Sequence, residues 1–264
     1  MIGIFDSGLG GLSALKEVRR LLPHEDIVYF GDTGRVPYGN RSRETIIKYA
    51  LQDMNFLISK NIDAVLIACG TVSSTAIDVL REKYPRLPII GVVDSAAKEA
   101  ASLTRNKKIG VIATAMTIGS RSFEKKLLEL DPELEIIPTA CPLFVPLVEN
   151  GFISPDDEVT RLVAERYLSD IKSSGADTLI LGCTHYPIIA GSIARVLPGV
   201  QIVSSSKSAA EELARMTHIS GNSDHVGRTE YYVSDEPCDF EKTASIFLDT
   251  RLEDKVTRID IEKY

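Results

Sequence analysis

Thr178-Leu179-Ile180-Leu181-Gly182-Cys183-Thr184-His185-Tyr186-Pro187 is an apolar run that stops at a cysteine, and far upstream Ala64-Val65-Leu66-Ile67-Ala68-Cys69-Gly70-Thr71 echoes it. Each run has the length of a strand buried on both faces, and each is followed by small, hydroxyl-bearing or proline residues and then by helical spacing. In open parallel sheets ligands bind beyond the carboxyl ends of the strands. Two thiols are therefore expected at equivalent strand ends, both on the ligand side.

Working outward from the upstream run, Ile2 to Phe5 reads as a first strand. It leads through Asp6-Ser7-Gly8-Leu9-Gly10-Gly11-Leu12-Ser13 into a helix carrying Leu15, Val18, Leu21 and Leu22. A dinucleotide fingerprint would need glycine or alanine where Ser13 stands, although Asp32 after the next strand, Asp26 to Gly31, would suit a ribose. The simpler reading is that the glycines let the helix pack closely on the strand. Asp6, directly after a buried strand, either caps the helix or points into the cleft, and Ser7 adds a hydroxyl at the same rim. The loop from Asp32 to Arg43 follows a strand end and falls on the ligand side. A helix over 42–60 should bury Ile47, Ala50, Leu51, Met54 and Ile58. After Cys69 come a helix to about Tyr84, a strand from Leu87 to Val93, and a helix capped by Asp94-Ser95.

A second series repeats the order. Lys108 to Ala113 ends in Thr114-Ala115-Met116-Thr117, the position that Asp6-Ser7 holds in the first series. A helix with Phe123, Leu127 and Leu130 follows, then a strand Glu135 to Pro138, a loop Cys141 to Pro155, a helix 156–173, the Cys183 strand, a helix Ile188 to Leu197 and a strand Gln201 to Val203. Alternating strands and helices in both series predict an α/β chain of two pseudo-symmetric domains. Each would be a parallel sheet flanked by helices, with the active site in the cleft between them and a boundary near residue 95. The tail from Ser205 offers a helix Ala209 to Met216, a strand 228–234, a helix Asp239 to Leu248 and an alternating segment Lys255 to Ile261.

With 264 residues, 44% hydrophobic and 25% charged, the chain has the composition of a globular protein with a sizeable core. A formal net charge of -7 argues against a nucleic-acid surface. No apolar run has the length of a membrane span, and Met1 leads straight into a strand pattern without a leader, so a cytoplasmic location is expected. In that compartment the four cysteines are free thiols. Cys141, in an apolar loop, and Cys238, near a helix start, are read as buried small hydrophobes, whereas Cys69 and Cys183 are read as chemical groups.

Two facing thiols suit removal of an α-proton from one face of an amino acid and its return on the other. That chemistry needs two acid/base groups in opposite protonation states. A free thiol has a pKa near 8.5 and must be tuned to serve at neutral pH. Helix starts after both cysteines, His185 beside Cys183 and Asp6 near Cys69 are candidates for that tuning. Hydroxyls of Ser7, Thr71, Thr117 and Thr184, with helix N–H groups, would hold a carboxylate. Rival readings are a Cys183 nucleophile with His185 as base, a zinc site of Cys69, Cys183 and His185, and a catalytically silent binding protein.

Phe5-Asp6-Ser7-Gly8-Leu9-Gly10-Gly11-Leu12-Ser13, Pro37-Tyr38-Gly39, Ala68-Cys69 with Thr71, Leu181-Gly182-Cys183-Thr184-His185-Tyr186-Pro187 and Tyr232-Val233-Ser234-Asp235 together resemble the cofactor-independent aspartate/glutamate racemase superfamily, in its glutamate branch. The resemblance spans nearly the whole chain. It implies domains of residues 1–95 plus 205–264 and 96–204, a homodimer, and no cofactor or metal. It also implies two-base interconversion of L- and D-glutamate, supplying D-glutamate for peptidoglycan. By the same resemblance Cys69 and Cys183 are the bases, Asp6 and His185 their assistants, and Glu149 an auxiliary acid. Asp6, Ser7, Pro37, Tyr38, Gly39, Gly70, Thr71, Thr114, Thr117, Thr184 and His185 are then the substrate contacts. One position departs from the pattern: the family usually has Asn after the first cysteine, and here Gly70 is expected to leave a volume that water or a neighbouring side chain fills. Aspartate as substrate is the alternative that this departure raises.

Overall fold

The computed structural model describes residues 1–216, 225–252 and 254–264, without the side chains of Cys238, Asp239, Glu241 and Lys242, so the reading of Cys238 falls outside the described residues. Among the described residues ten strands lie in two sheets. In chain order they are β1 Ile2–Asp6, β2 Ile27–Gly31, β3 Ala64–Ile67, β4 Ile89–Gly91, β5 Lys108–Ala113, β6 Glu135–Ala140, β7 Thr178–Leu181, β8 Gln201–Ser204, β9 Thr229–Val233 and β10 Val256–Arg258. The first sheet runs β10-β9-β2-β1-β3-β4 and the second β6-β5-β7-β8. Every pairing is parallel.

The order 2-1-3-4 thus recurs as 6-5-7-8, which puts β3 and β7, the two cysteine-bearing runs, at equivalent places. Both are buried along their whole length, as parallel strands covered by helices must be. Pro138, which lacks a ladder donor, is tolerated because β6 is an edge. The tail adds β9 beside β2 and β10 beside β9, so it extends the first sheet.

The sheets are joined by helices. Helix 205–216 packs on both helix 12–21 of the first series and helix 92–103, which itself lies against β7 and β8. Small buried residues at the joint, Ala96, Ala97, Ala100, Ala209 and Ala210, permit close approach, and Ser13 and Ser206 share a hydroxyl hydrogen bond of 2.9 Å.

Several local expectations are corrected. Helix Arg43–Ile58, capped by Ser42, buries Ile46, Ala50, Asp53, Met54 and Leu57 rather than the face of Ile47, Leu51 and Ile58. The buried Asp53 is drawn in by Arg35 and Tyr38, so the true face carries a charge that hid it. The strand at 87–93 shortens to Ile89–Gly91 and the helix starts at Val92, leaving Asp94 and Ser95 in its first turn rather than at its cap. Leu130 is exposed. The loop after β6 contains a helix, Phe144–Glu149, built on the buried Phe144 and Val148. The segment after Cys183 opens as a 3-10 turn, Tyr186–Ile189, before helix Ala190–Val196. After β10 the alternating tail turns into a 3-10 helix, Ile261–Lys263.

Candidate active site

The carboxyl ends of the two sheets face one another across a cavity of about 280 Å³. That is the small end of ligand sites, suited to a metabolite rather than a dinucleotide. Cys69 and Cys183 both line it, each two residues past the end of its strand. Asp6, Ser7, Pro37, Tyr38 and Gly39 also line it, as do Gly70, Thr71, Thr114, Glu149, Thr184 and His185. Thr117 does not: it is buried one layer behind, with its hydroxyl 3.0 Å from that of Thr114.

On the first side β1 ends at Asp6, which is 1% exposed. Its Oδ2 accepts the Gly8 N–H at 3.0 Å, while Oδ1 has no partner. Burial raises the Asp6 pKa; the charge of His185 and the N–H groups of Gly8, Gly11 and Ser7 oppose that rise. Cys69 caps the short helix Gly70–Thr75, and its Sγ donates to Ser7 Oγ at 3.4 Å. The hydrogen-bond partner of this thiol is therefore Ser7 rather than Asp6. Burial pushes the thiol up to about 12, and the Asp6 carboxylate adds to the push.

On the second side the apparatus is different. Only a 3-10 turn follows Cys183, so the expected helix terminus is absent there and polarisation comes from side chains. Cys183 Sγ lies 3.9 Å from His185 Nδ1, and His185 Nε2 lies 3.0 Å from Glu149 Oε1. Burial pulls the His185 pKa down, but its bonds to Cys183 and Glu149 outweigh this and carry it up to about 10. The glycine turn of the first half closes over this group: a Cβ on Gly10 would run into Thr184 Oγ1 and lie 2.7 Å from the His185 ring. Close contact with His185, rather than phosphate binding or helix packing alone, is what the second glycine of that turn permits.

The Pro37-Tyr38-Gly39 loop borders the cavity, but the Tyr38 hydroxyl is turned away from it, donating to the buried Asp32 and Asp53. Arg35 ties the same carboxylates, at 2.6 Å to Asp32 and 3.0 Å to Asp53. Gly70 is also corrected: the direction a Cβ would take there is filled by the Gly182 carbonyl, so no vacated volume opens at that point. Across the floor Thr71 Oγ1 and Thr114 Oγ1 meet at 3.2 Å.

Sequence reasoning placed the loop of Val36 and Asn40 on the ligand side without naming either as a cavity wall, and it missed Pro142, Val145 and Pro146. The last three belong to the stretch leading into and through helix Phe144–Glu149, for which the Phe144–Val148 spacing was the available signal. Cys141 borders the cavity as well, but it is fully buried, and burial and the nearby Cys183 push its thiol above the ordinary range. Among the described residues no group of three or more His, Cys, Asp or Glu side chains is placed to hold a metal ion, and no helix is long and apolar enough to cross a membrane.

Two cysteines at matching ends of two parallel sheets border one small cavity, an arrangement that can put an acid/base group on either side of a small ligand. The chain belongs to the Asp/Glu/hydantoin racemase family, whose model matches residues 13–213. Within that family it is similar to glutamate racemases. The protein so named from Sulfurihydrogenibium sp. is 45% identical over 98% of both chains. Among solved structures, glutamate racemase from Francisella tularensis in complex with D-glutamate superposes with a TM-score of 0.92 at 37% identity, covering 100% of this chain and 98% of that one. The Thermus thermophilus enzyme in complex with β-chloro-D-alanine gives 0.89 at 41% identity, again over 100% and 98%.

Proposed function

We propose that this chain interconverts L- and D-glutamate by two-base proton transfer between Cys69 and Cys183, without a cofactor, and supplies D-glutamate for peptidoglycan. The observation that carries the reading is that both sulfurs, from different sheets, border one small cavity. The amino acid lies with its α-carbon between them. One thiolate takes the α-proton, leaving the C–H electron pair on the α-carbon. The opposite thiol delivers its proton to the other face, so configuration inverts and the two sulfurs exchange protonation states. N–H groups at the start of the Cys69 helix, with the Ser7, Thr71, Thr114 and Thr184 hydroxyls, hold the substrate carboxylates.

The two sides enter that cycle in different states. With its pKa near 12 Cys69 is a thiol at neutral pH and serves first as donor. His185, its pKa carried up to about 10, puts a positive charge 3.9 Å from the Cys183 sulfur, on the wall opposite the Cys69 thiol. Glu149 keeps His185 charged and oriented. On this reading residues 1–95 with 205–264 and residues 96–204 are the two domains, and the enzyme works in the cytoplasm as a homodimer.

Incubation with L-glutamate in deuterated water tests it: optical rotation should decay to zero while α-deuterium enters the product. Aspartate turning over in place of glutamate would shift the substrate, and hydrolysis of an ester or amide lost only in Cys183→Ser would favour a nucleophile. No turnover of any amino acid by the wild-type chain would sink the enzymatic reading.

A further inference from the structure

His185 follows β7 of the second sheet, yet two of the walls around its ring come from elements of the first. Both ring nitrogens are engaged locally, Nδ1 with Cys183 Sγ at 3.9 Å and Thr184 Oγ1 at 3.3 Å, and Nε2 with Glu149 Oε1 at 3.0 Å. These contacts hold two points of the ring edge and leave its tilt about the line between them to the walls. Gly10, from the turn after β1, lies against Cε1 and Nδ1. The other wall is Phe247, at the end of the tail helix Pro237–Leu248. Its ring stands edge-to-face with the imidazole, the centroids 5.2 Å apart and the planes at 88°. Phe247 is 1% exposed, and its helix is held on the first sheet by packing against helix 12–21 and β10. A rigid aromatic ring so placed limits the tilt of the imidazole and keeps water from a cation there. Phe247 and Cys183 belong to one buried apolar cluster, and Cys69 to another.

We propose that Phe247 is a positioning residue of the Cys183 side alone: the tail helix, built onto the sheet that carries Cys69, holds the imidazole that serves the opposite thiol. The assignment rests on the two-base reading above and deepens it. Proton transfer at Cys183 then depends on a side chain that touches neither sulfur nor substrate, whereas transfer at Cys69, beside Ser7 and Asp6, does not.

Loss of HCl from 3-chloroglutamate tests one thiol at a time in the full-length chain. A thiolate takes the α-proton, the C–H pair forms the Cα–Cβ double bond, and chloride leaves with the C–Cl pair. The enamine then tautomerises and water hydrolyses it to the 2-oxo acid and ammonium. Cys69→Ser and Cys183→Ser first assign each α-configuration of this substrate to its sulfur. Phe247→Leu should then lower kcat about tenfold for the enantiomer that Cys183 serves, short of the roughly 100-fold cost of an ångström of misplacement, and stay within about twofold for the other. Phe240→Leu removes an equally buried ring from the same helix, one that packs on Tyr29 with centroids 6.0 Å apart, and as the control should leave the Cys183 reaction unchanged. Phe247→Met is read in the same way if the leucine variant does not accumulate as folded protein. Equal losses for both enantiomers, a loss confined to the Cys69 reaction, the same loss in Phe240→Leu, or no loss at all overturns the assignment alone. Cysteine variants that fail on the same enantiomer overturn the two-base reading with it.

Discussion

The turn after β3 and the turn after β7 occupy equivalent places in two sheets of the same strand order, yet the groups around their sulfurs differ in kind. Cys69 is bonded to a hydroxyl and sits near a buried carboxylate, surroundings that keep its proton on. Cys183 faces an imidazole that an acidic side chain holds cationic. The repeat of the fold delivers two sulfurs to one cavity, and the groups beside them are unequal. In the two-base proposal, symmetry supplies the geometry and asymmetry supplies the direction of the first proton transfer.

The sharpest way to break this contrast is to remove the sulfurs one at a time. Cys69→Ser and Cys183→Ser should each lower racemisation by about 10³-fold, within the range for loss of one positioned acid or base. The informative part is which enantiomer still exchanges its α-proton in deuterated water. If the sulfurs serve opposite faces, the two variants should fail on opposite enantiomers; failure on the same one in both would end the two-wall account.

The next contrast concerns the loops that follow β2 and β6. The first is tied by Arg35, 11% exposed in its side chain, to Asp32 and Asp53, with Tyr38 donating to both carboxylates. Its counterpart is the short helix Phe144–Glu149, tied by the Glu149–His185 pair, in which Glu149 is 39% exposed. Arg35→Leu leaves buried carboxylates without their cation and should cost about 3 to 5 kcal/mol of stability in a denaturant titration. Glu149→Gln, screened by solvent, should cost only about 1.5 kcal/mol. A larger loss from the Glu149 change would reverse the assignment of which loop is structurally anchored.

The same Glu149 variant sharpens the pH dependence. His185 has its pKa raised from 6.5 to about 10, so its contribution to stability is complete below pH 6.5 and disappears as the pH climbs through 10. Cys69, raised to about 12, adds a loss of the same sign above pH 9. Stability of the wild-type chain should therefore fall across pH 6.5 to 10. Glu149→Gln should flatten that fall by removing one of the bonds that keep His185 protonated. An unchanged slope would mean that His185 draws its charge from Cys183 alone.

What could be read from the residues was whatever a single strand and its exit encode. Apolar runs broken by Cys69 and Cys183, the hydroxyls after them and the order of strands all sit within a few positions of each other. What could not be read depends on segments that meet only after folding. Gly10 lies against His185 and Gly70 against Gly182, at separations no local pattern records. Ser7, not the neighbouring Asp6, takes the hydrogen bond of the Cys69 thiol, although Asp6 Oδ1 has no partner. Tyr38 borders the cavity, but its hydroxyl is claimed by carboxylates from β2's exit and from helix 43–58. Helix Phe144–Glu149 escaped because fewer than two turns give too short a period to detect.

The smallest effect tests the cavity floor, where one hydroxyl comes from each half. Thr71 and Thr114 meet at 3.2 Å, and only Thr114 is backed by a further hydroxyl, that of Thr117 at 3.0 Å. Thr117 also gives its N–H to Thr114 Oγ1 at 3.3 Å, so Thr114 is oriented twice from behind while Thr71 is not oriented by it at all. Thr117→Val removes one of those two supports and leaves the wall residue in place. If Thr114 holds a substrate carboxylate as proposed, in ground and transition states alike, the loss of one neutral hydrogen bond, about 1 kcal/mol, should raise KM roughly fivefold and leave kcat unchanged. A fall in kcat at constant KM would instead assign the Thr114 hydroxyl to charge that develops during proton transfer. The two halves would then share the task of stabilising the carbanion as well as that of moving the proton.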